Sequence, residues 1–349
     1  MTLSIDSMRA HTPHLEHVAT LDDVDDIARF TVHNDTLYVG GRRDEKHVLH
    51  VVDLRHPEHP AVVDVLPFRR RVGAVVVHDD LMVVAEQSRA VHFLDVTDPM
   101  APKHIDCGVS LGIDVNAFDV VDGCVVAARD NGVSLMPLSS LDDARWTAHD
   151  GWSDRGCPEH LVAIGRRVFV GGSRSNVRVY DVIDQKLHHV VDLGGEAFCT
   201  RALDVVDEHV WVGCEPDGDE TALAFIEPNT ATLIDGFAAP LLQAGVFGIG
   251  GGCAFAFDDA NGHVLDVERK QAVPLFSMFT DGAAYVEVAL SADGGVPHDD
   301  TGRRECMDDV RFARMHNGLL LTTHGGQLHV FRPTPGSALA PVDTTRNRG

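Results

Sequence analysis

Short runs of alternating apolar and polar residues recur along the whole chain, each bounded by Gly, Pro, Asn or Asp. Residues 46–68, KHVLHVVDLRHPEHPAVVDVLPF, contain two such runs separated by a turn rich in proline and histidine. The same design returns at 90–107, AVHFLDVTDPMAPKHIDC, and at 176–193, NVRVYDVIDQKLHHVVDL. Alternation with a period of two predicts half-buried β-strands, and the turn residues between the runs predict that successive strands are antiparallel.

The residue that ends the third strand of each unit, usually an acid, allows the repeat to be measured. It falls at Asp53, Asp95, Pro137, Asp181, Glu227, Asp266 and Arg332. Subtraction gives intervals of 42, 42, 44, 46, 39 and 66 residues. A period of about 40–45 residues with four short strands per unit is typical of the blades of a β-propeller. The sequence therefore predicts an all-β, seven-bladed β-propeller of four-stranded antiparallel blades.

The repeat also predicts boundaries within a single domain that spans residues 1–349. Blades are expected at approximately 27–68, 72–109, 115–151, 158–195, 199–237, 244–279 and 305–333. Residues 14–21, HLEHVATL, resemble an outer strand and are expected to close the ring by pairing with the last blade, which removes exposed sheet edges. Residues 280–304 form a long insertion, interpreted as a surface hairpin or a lid, and residues 334–349 form a tail.

Two segments, LHVVDLRHPEHPAVVDVL and VHFLDVTDPMAPKHIDC, resemble the LVIVD repeat, whose pattern runs roughly L-x-I-V-D-V-S-D-P-x-x-P. The match is close in the first two predicted blades, partial in the fourth and degenerate elsewhere. The resemblance implies a WD40-like, seven-bladed propeller. It implies no particular activity and brings no catalytic motif.

The net charge of the chain limits the classes of partner that the protein is expected to bind. The chain has 53 Asp and Glu against 29 Lys and Arg, a formal charge of −24, which argues against nucleic acid or an anionic membrane. The basic run FRRR at 68–71 is too short to change that conclusion. A polar small molecule or a protein partner remains.

The compartment is predicted from the N-terminus and the cysteines. The N-terminus lacks a basic segment followed by an apolar one, and no apolar run approaches the ~18–20 residues of a membrane helix, so a cytoplasmic location is expected. The seven cysteines form no CxxC pair and fit reduced thiols better than a disulfide framework.

A ring of candidate residues follows from the repeat. In a propeller, the innermost strand of each blade begins beside the central channel, which is a natural ligand site. Counting eleven residues back from the first core residue of each second strand gives only polar or thiol side chains. They are Asp26, Arg71, Asp114, Cys157, Cys199, Gln243 and Asp309. A wet channel mouth without any ligand would also explain them.

Three cysteines and one histidine are candidate metal ligands or nucleophiles. Cys157 and Cys199 occupy equivalent positions in neighbouring blades, and Cys306 lies close to the last ring position. His160 follows Cys157 in the segment CPEH. Such a set suits zinc or copper, or a thiol nucleophile beside a base. The alternative is that these thiols are small buried hydrophobic residues.

The loops after the second strands supply a second ring with several charges. It consists of Arg42, Glu86, Arg129, Arg174, Glu215, Asp258 and His324. Guanidinium groups there, together with Arg71 and Arg311, would suit a ligand that carries a carboxylate. A solvated loop face is the alternative.

Two functions remain open at this point. The first is a small-molecule enzyme or binder at the channel mouth, thiol- or metal-assisted, with Asp114 and Asp309 as acid–base groups. The second is a non-catalytic scaffold for protein–protein interaction. The sequence contains no HExxH, GxSxG or P-loop motif, so it does not decide whether the protein is an enzyme.

Overall fold

A computed structural model describes most of the chain. The described residues are 14–21, 24–87, 90–110, 115–129, 132–139, 146–152, 157–172, 175–193, 199–206, 209–215, 221–239, 246–250, 253–257, 262–266, 271–274, 277–281, 284–287, 313–324 and 327–334. This part of the chain folds into thirty β-strands, β1 to β30 in chain order, and contains no α-helix.

Within the described residues the strands form seven sheets, six of them four-stranded, and we number the sheets by chain order. Sheet 1 contains β2 (Asp25–His33), β3 (Thr36–Arg43), β4 (Lys46–Asp53) and β5 (Ala61–Phe68). Sheet 2 contains β6 (Val72–His78), β7 (Leu81–Glu86), β8 (Ala90–Asp95) and β9 (Lys103–Ser110). Sheet 3 contains β10 (Val115–Val121), β11 (Cys124–Arg129), β12 (Gly132–Pro137) and β13 (Thr147–Gly151).

The next three sheets repeat this arrangement. Sheet 4 contains β14 (Pro158–Ile164), β15 (Arg167–Gly172), β16 (Ser175–Ile183) and β17 (Lys186–Leu193). Sheet 5 contains β18 (Cys199–Val206), β19 (His209–Glu215), β20 (Thr221–Glu227) and β21 (Thr232–Ala239). Sheet 6 contains β22 (Val246–Gly250), β23 (Cys253–Phe257), β24 (Gly262–Asp266) and β25 (Gln271–Pro274). All six sheets are antiparallel meanders, which confirms the prediction of an all-β chain built from four-stranded antiparallel units.

Sheet 7 joins the two ends of the described chain. It contains β1 (His14–Leu21), β26 (Ser277–Asp281), β27 (Ala284–Glu287), β28 (Ala313–His316), β29 (Leu319–His324) and β30 (Gln327–Thr334). The strand order is β27-β26-β1-β30-β29-β28. β1 runs antiparallel to β30, with Leu21 opposite Leu328, and β26 adds to β1 in parallel.

One predicted boundary falls differently. Residues 277–279, which the repeat assigns to the sixth blade, begin β26 in sheet 7, because Ser277 and Met278 pair with β1 and Phe279 pairs with Val286 of β27. The described part of the predicted insertion, 280–281 and 284–287, completes the hairpin β26–β27 at the sheet edge opposite β28. The rest of the insertion lies outside the described residues, so the lid interpretation stays a prediction.

The core lies between neighbouring sheets. Tyr38 and Leu49 of sheet 1 pack with Met82 and Val84 of sheet 2, and all four side chains are fully buried. Sheets 1 and 7 share a core in the same way, through Leu37, Val39, Leu321 and Val330 among others. Burial of a Leu or Val side chain contributes roughly 1.5–3 kcal/mol. The stacked sheets therefore depend on one another for stability.

Small residues let the sheets approach closely. A Cβ added at Gly40 would lie 2.7 Å from Val72 Cβ on the first strand of the next sheet. A Cβ added at Gly171 would lie 2.5 Å from Thr200 Cγ2, again on the next sheet. Equivalent second-strand positions in sheets 2, 3 and 5 are also small: Ala85, Ala128 and Gly213.

Candidate functional site

Two predicted ring residues meet at the end of the sheets where the first strands begin, which we call the mouth end. Asp26 directly precedes Ile27, and Arg71 directly precedes the equivalent Val72 of the next sheet. Arg71 Nη2 lies 3.5 Å from Asp26 Oδ1. Their side chains are 32% and 46% exposed, so water screens the pair and its contribution to stability is small.

The predicted thiol cluster is only partly described. Cys157 is exposed and precedes β14, and its carbonyl oxygen lies where a Cβ on Gly172 would be. His160 lies on β14 and is half-buried. Cys199 begins β18, but its side chain lies outside the description. No group of three His, Cys, Asp or Glu residues within the described part of the chain is placed to hold a metal ion.

Several other predicted site residues lie outside the described residues. They are Asp114, Arg174, Gln243, Asp258, Cys306, Asp309 and Arg311, and for Glu215 and His324 only the backbone is described. The catalytic and metal-binding roles of the set therefore stay predictions. By contrast Cys124 is a buried thiol, and burial, with a smaller effect of the Asp122 carboxylate, raises its pKa.

Two arginines of the second ring, Arg42 and Arg129, hold local structure. Arg42 Nη2 donates to the Glu45 carbonyl oxygen at 3.2 Å and so supports the turn between β3 and β4. Arg129 is buried, donates from Nη1 to Ser134 Oγ at 2.9 Å, and places its Cζ 5.8 Å from the centre of the Trp146 ring. That distance fits a cation–π contact. These contacts of the two guanidinium groups lie within single sheets.

Glu86, also in the second ring, faces inward. Its side chain is 6% exposed, and Oε1 accepts the backbone N–H groups of Arg69 at 2.6 Å and Arg70 at 3.2 Å. Oε2 lies 3.3 Å from His92 Nε2. Glu86 therefore fixes the connection between β5 and β6. Sequence reasoning missed this role, although the three consecutive arginines ahead of a first strand were a visible signal.

The opposite end of the sheets, where first strands turn into second strands, is acidic. We call it the acidic end. The described residues place eight exposed carboxylates here, from sheets 1 to 4: Asp35, Glu58, Asp79, Asp80, Asp95, Asp98, Asp122 and Asp184. Four exposed cations accompany them: Arg55, Lys103, Arg166 and Lys186.

One backbone hydrogen bond recurs at the acidic end of four consecutive sheets. The N–H of the residue after the third strand's landmark position donates to a carbonyl of the turn between the first and second strands. The pairs are Leu54 to Asp35, Val96 to Asp80, Leu138 to Gly123 and Val182 to Arg166, each at 2.8 Å. This bond joins two loops of each sheet into one unit.

Carboxylates at the acidic end are tied to the turns that follow them. Asp53 accepts from Arg55 Nη2 at 2.6 Å and from its backbone N–H at 2.9 Å, which lowers the pKa of Asp53 to about 2. Asp95 accepts from Thr97 Oγ1 at 2.6 Å and its N–H at 2.8 Å, which lowers the pKa of Asp95. These two groups stay ionised and fixed in place at neutral pH.

Side chains at this end also join neighbouring sheets. Tyr38 Oη of sheet 1 donates to the Pro99 carbonyl oxygen of sheet 2 at 2.9 Å. Burial, with a further effect of the nearby Asp98 carboxylate, raises the pKa of Tyr38. Asn317 Nδ2 of sheet 7 donates to Asp35 Oδ1 of sheet 1 at 2.9 Å.

Arg167 makes the most extensive of these connections in the described residues of sheets 4 and 5. Its Nε and Nη2 donate to the two carboxylate oxygens of Asp181 at 2.7 and 2.9 Å. Its Nη1 donates to the carbonyl oxygens of Pro228 at 2.6 Å and Asn229 at 2.7 Å. The hydrogen bonds from Arg167 lower the pKa of Asp181.

No family model and no curated protein matches the sequence. Solved structures are similar in fold. The β-propeller domain of Cps50 (Swd1) from Myceliophteria thermophila is 11% identical, with a TM-score of 0.64 over 92% of this chain and 100% of that chain. The WD40 β-propeller domain of Doa1 is 11% identical, with a TM-score of 0.59 over 91% and 97%. The N-terminal domain of Nup159 is 10% identical, with a TM-score of 0.56 over 93% and 96%.

These likenesses, together with the stacked antiparallel sheets, show that the protein has a β-propeller fold. At such low identity they show the fold alone. The resemblance to the LVIVD repeat stays a prediction. Among the described residues, no helix has the length and apolar character needed to cross a bilayer.

Proposed function

We propose that the protein is a non-catalytic interaction scaffold whose acidic end binds a partner protein with a basic surface. The observation that carries the proposal is the set of exposed carboxylates presented by four neighbouring sheets. Turns and inter-sheet hydrogen bonds hold this surface in place, so a partner would meet it already ordered, and less conformational entropy would be lost on binding. Charge complementarity would also speed the encounter.

We further infer a closed ring of seven blades with a central channel. The first strands of successive sheets contact one another along the chain, from β2 with β6 through to β22 with β28. The contact of β2 with β30, and the core shared by sheets 1 and 7, support closure. In such a ring the loops of all blades at one end form a broad surface, which suits a protein partner better than a small ligand.

The scaffold accounts for the described candidate residues more directly than an enzyme does. Asp26 and Arg71 pair with each other, and Arg129 is buried against Ser134 and Trp146. Each of these groups has a structural partner in its own or the neighbouring sheet.

A photo-reactive amino acid placed at Asp80 tests the scaffold. The same residue at Val63, which is 46% exposed on β5, is the matched control away from the acidic end. In extracts of the source cells, we expect the Asp80 probe to form one discrete adduct that mass spectrometry identifies, and the Val63 probe to form none. Equal adducts from both positions, or none from Asp80, would contradict the proposal.

The identified partner is then purified and its affinity measured by calorimetry. We expect Asp80→Lys combined with Asp98→Asn to weaken binding by about tenfold, because charge complementarity is reduced. Asn at position 98 keeps an acceptor for the Met100 N–H, so the turn is preserved. High salt should weaken wild-type binding as well. Affinity that is insensitive to both changes would exclude the acidic end as the docking surface.

A further inference from the structure

Four exposed cations lie together at the mouth end, and we call them the arginine corner. They are Arg43, Lys46, Arg69 and Arg70. Arg43 is opposite Lys46 across the β3–β4 hairpin, and the next residue of β4, His47, is opposite Phe68, the last residue of β5. The register therefore places Arg43 and Lys46 side by side, and Arg69 is the first residue after β5, next to the terminal His47–Phe68 pair.

The backbone beneath the corner is fixed from inside. The buried Glu86 carboxylate takes the N–H groups of Arg69 and Arg70, so it holds the main chain and leaves both guanidinium groups exposed. Phe68, which is 9% exposed, packs its ring edge-on against His92 at 5.1 Å between centroids. The two arginines therefore stand on a rigid base that would not have to order on binding.

The positive charge in and around the arginine corner exceeds the negative charge of the neighbouring carboxylates. None of its four cations has a carboxylate within ion-pair distance among the described residues. With the adjoining groups included, this part of the surface contains seven cations (Arg29, Arg42, Arg43, Lys46, Arg69, Arg70 and Arg71) and four carboxylates (Asp26, Asp44, Glu45 and Glu86) among the described side chains. It therefore has an excess of three positive charges (7 − 4), whereas the whole protein has a net charge of −24.

We propose that the arginine corner binds a short acidic segment of a partner protein, with oxyanions held by the guanidinium groups of Arg69 and Arg70. Planar guanidinium donors fit both carboxylate and phosphate oxygens, so acidic side chains and phosphoserine are the two sources of this chemistry. A long polyanion such as nucleic acid would meet the repulsion of the remaining acidic surface, whereas a short segment touches the corner alone. The corner is a second docking surface, distinct from the acidic end.

Fluorescence anisotropy with synthetic peptides tests the corner on the purified protein. The probes are a Glu-rich peptide, the same peptide with Gln at each Glu, and a phosphoserine peptide of the same charge as the first. We expect the two anionic peptides to bind and the Gln peptide not to bind. Arg69→Glu combined with Arg70→Glu should weaken binding by about tenfold or more, since the charges that hold the ligand are reversed.

The matched control reverses two exposed cations at the other end, Arg166→Glu with Lys186→Glu, and should change the affinity by less than about twofold. Arg69→Ala with Arg70→Ala keeps the N–H groups that Glu86 needs, and so tests the side chains if the charge-reversed variant folds poorly. The tighter of the two anionic peptides identifies the source of the oxyanion.

Three outcomes would overturn the proposal. These are equal binding of the Gln peptide, no binding of either anionic peptide, and tighter binding of a single-stranded oligonucleotide of the same charge. Because these probes do not involve the acidic end, their failure would leave the scaffold proposal standing. Likewise, the absence of an adduct from the Asp80 probe would contradict the scaffold proposal and not the proposal for the arginine corner.

Discussion

The acidic end and the arginine corner present opposite charges, and they differ in how the chain fixes them. At the acidic end Asp53 and Asp95 bind the turns that follow them, and the same loop-to-turn hydrogen bond recurs in four sheets. At the corner the buried carboxylate of Glu86 points inward and the guanidinium groups point outward, at one connection between β5 and β6. The repeated hydrogen bond therefore belongs to a broad surface, whereas the connection between β5 and β6 presents a small one.

The acidic end and the arginine corner lie far enough apart that their opposite charges do not neutralise each other. Strands such as β3 and β4 contain 8 residues, which correspond to about 25 Å between the two ends. The Debye length at physiological salt is about 8 Å, so the carboxylates of one end do not neutralise the cations of the other. The two proposed partners, of opposite charge, would therefore bind independently.

The largest expected effect tests the close backbone packing at the mouth end of sheet 4, where β15 ends at Gly172. Gly172→Ala would place a Cβ on the backbone carbonyl oxygen of Cys157, which cannot move aside as a flexible side chain can. We expect a loss of about 3 kcal/mol in the free energy of unfolding, measured by urea denaturation, because overpacking displaces the backbone. Gly73→Ala is the control, since its nearest neighbour would be at 3.7 Å. Equal effects of the two substitutions would contradict this packing.

A smaller loss of stability is expected when a substitution affects the acidic end alone. Asp181→Asn weakens the bidentate pair with Arg167, and we expect a loss of about 2 kcal/mol at neutral pH. The hydrogen bonds from Arg167 lower the pKa of Asp181, so its contribution is full above the unfolded carboxyl pKa of about 4. It is lost as pH falls through the lower folded value. The difference between wild type and variant should therefore shrink only in acid.

Urea denaturation at a series of pH values measures that difference. Asp122→Asn is the matched control, because Asp122 is exposed at the same end and Asn tolerates its positive φ of 47°. We expect the control to change stability by less than about 0.5 kcal/mol. A pH-independent difference for Asp181→Asn would show that its carboxylate does not act through Arg167.

Much of the fold could be predicted because its signals are local. Asn34, Asp79 and Asp122 adopt positive φ in the predicted tight turns. Asp53 and Asp95 end third strands, where the landmark positions place them. The boundary near Ser277 could not be predicted, because β26 pairs with β1, a strand from the other end of the chain.

The candidate sites could be predicted only in part. The count along the repeat brings Asp26 and Arg71 together, since equivalent positions of adjacent sheets lie side by side. The sequence does not indicate the arginine corner although FRRR is visible, because its four cations are brought near one another only by strand pairing, and Arg69 and Arg70 are held by Glu86 of the next sheet. The count along the repeat gives the position of Cys157, but it could not predict that the Cys157 side chain is exposed.

The smallest expected effect is a gain in affinity at the corner. Asp26→Asn removes the partner of Arg71, and Asn tolerates the positive φ of 49° at this position. Arg71 then becomes available beside Arg70, so we expect the Glu-rich peptide to bind about twofold more tightly while stability changes by less than about 0.5 kcal/mol. Asp184→Asn makes the same change of charge at the acidic end, at a φ of 50°, and should leave peptide affinity unchanged. If both variants bind more tightly by the same factor, net charge rather than the corner controls binding, and the two ends are not independent.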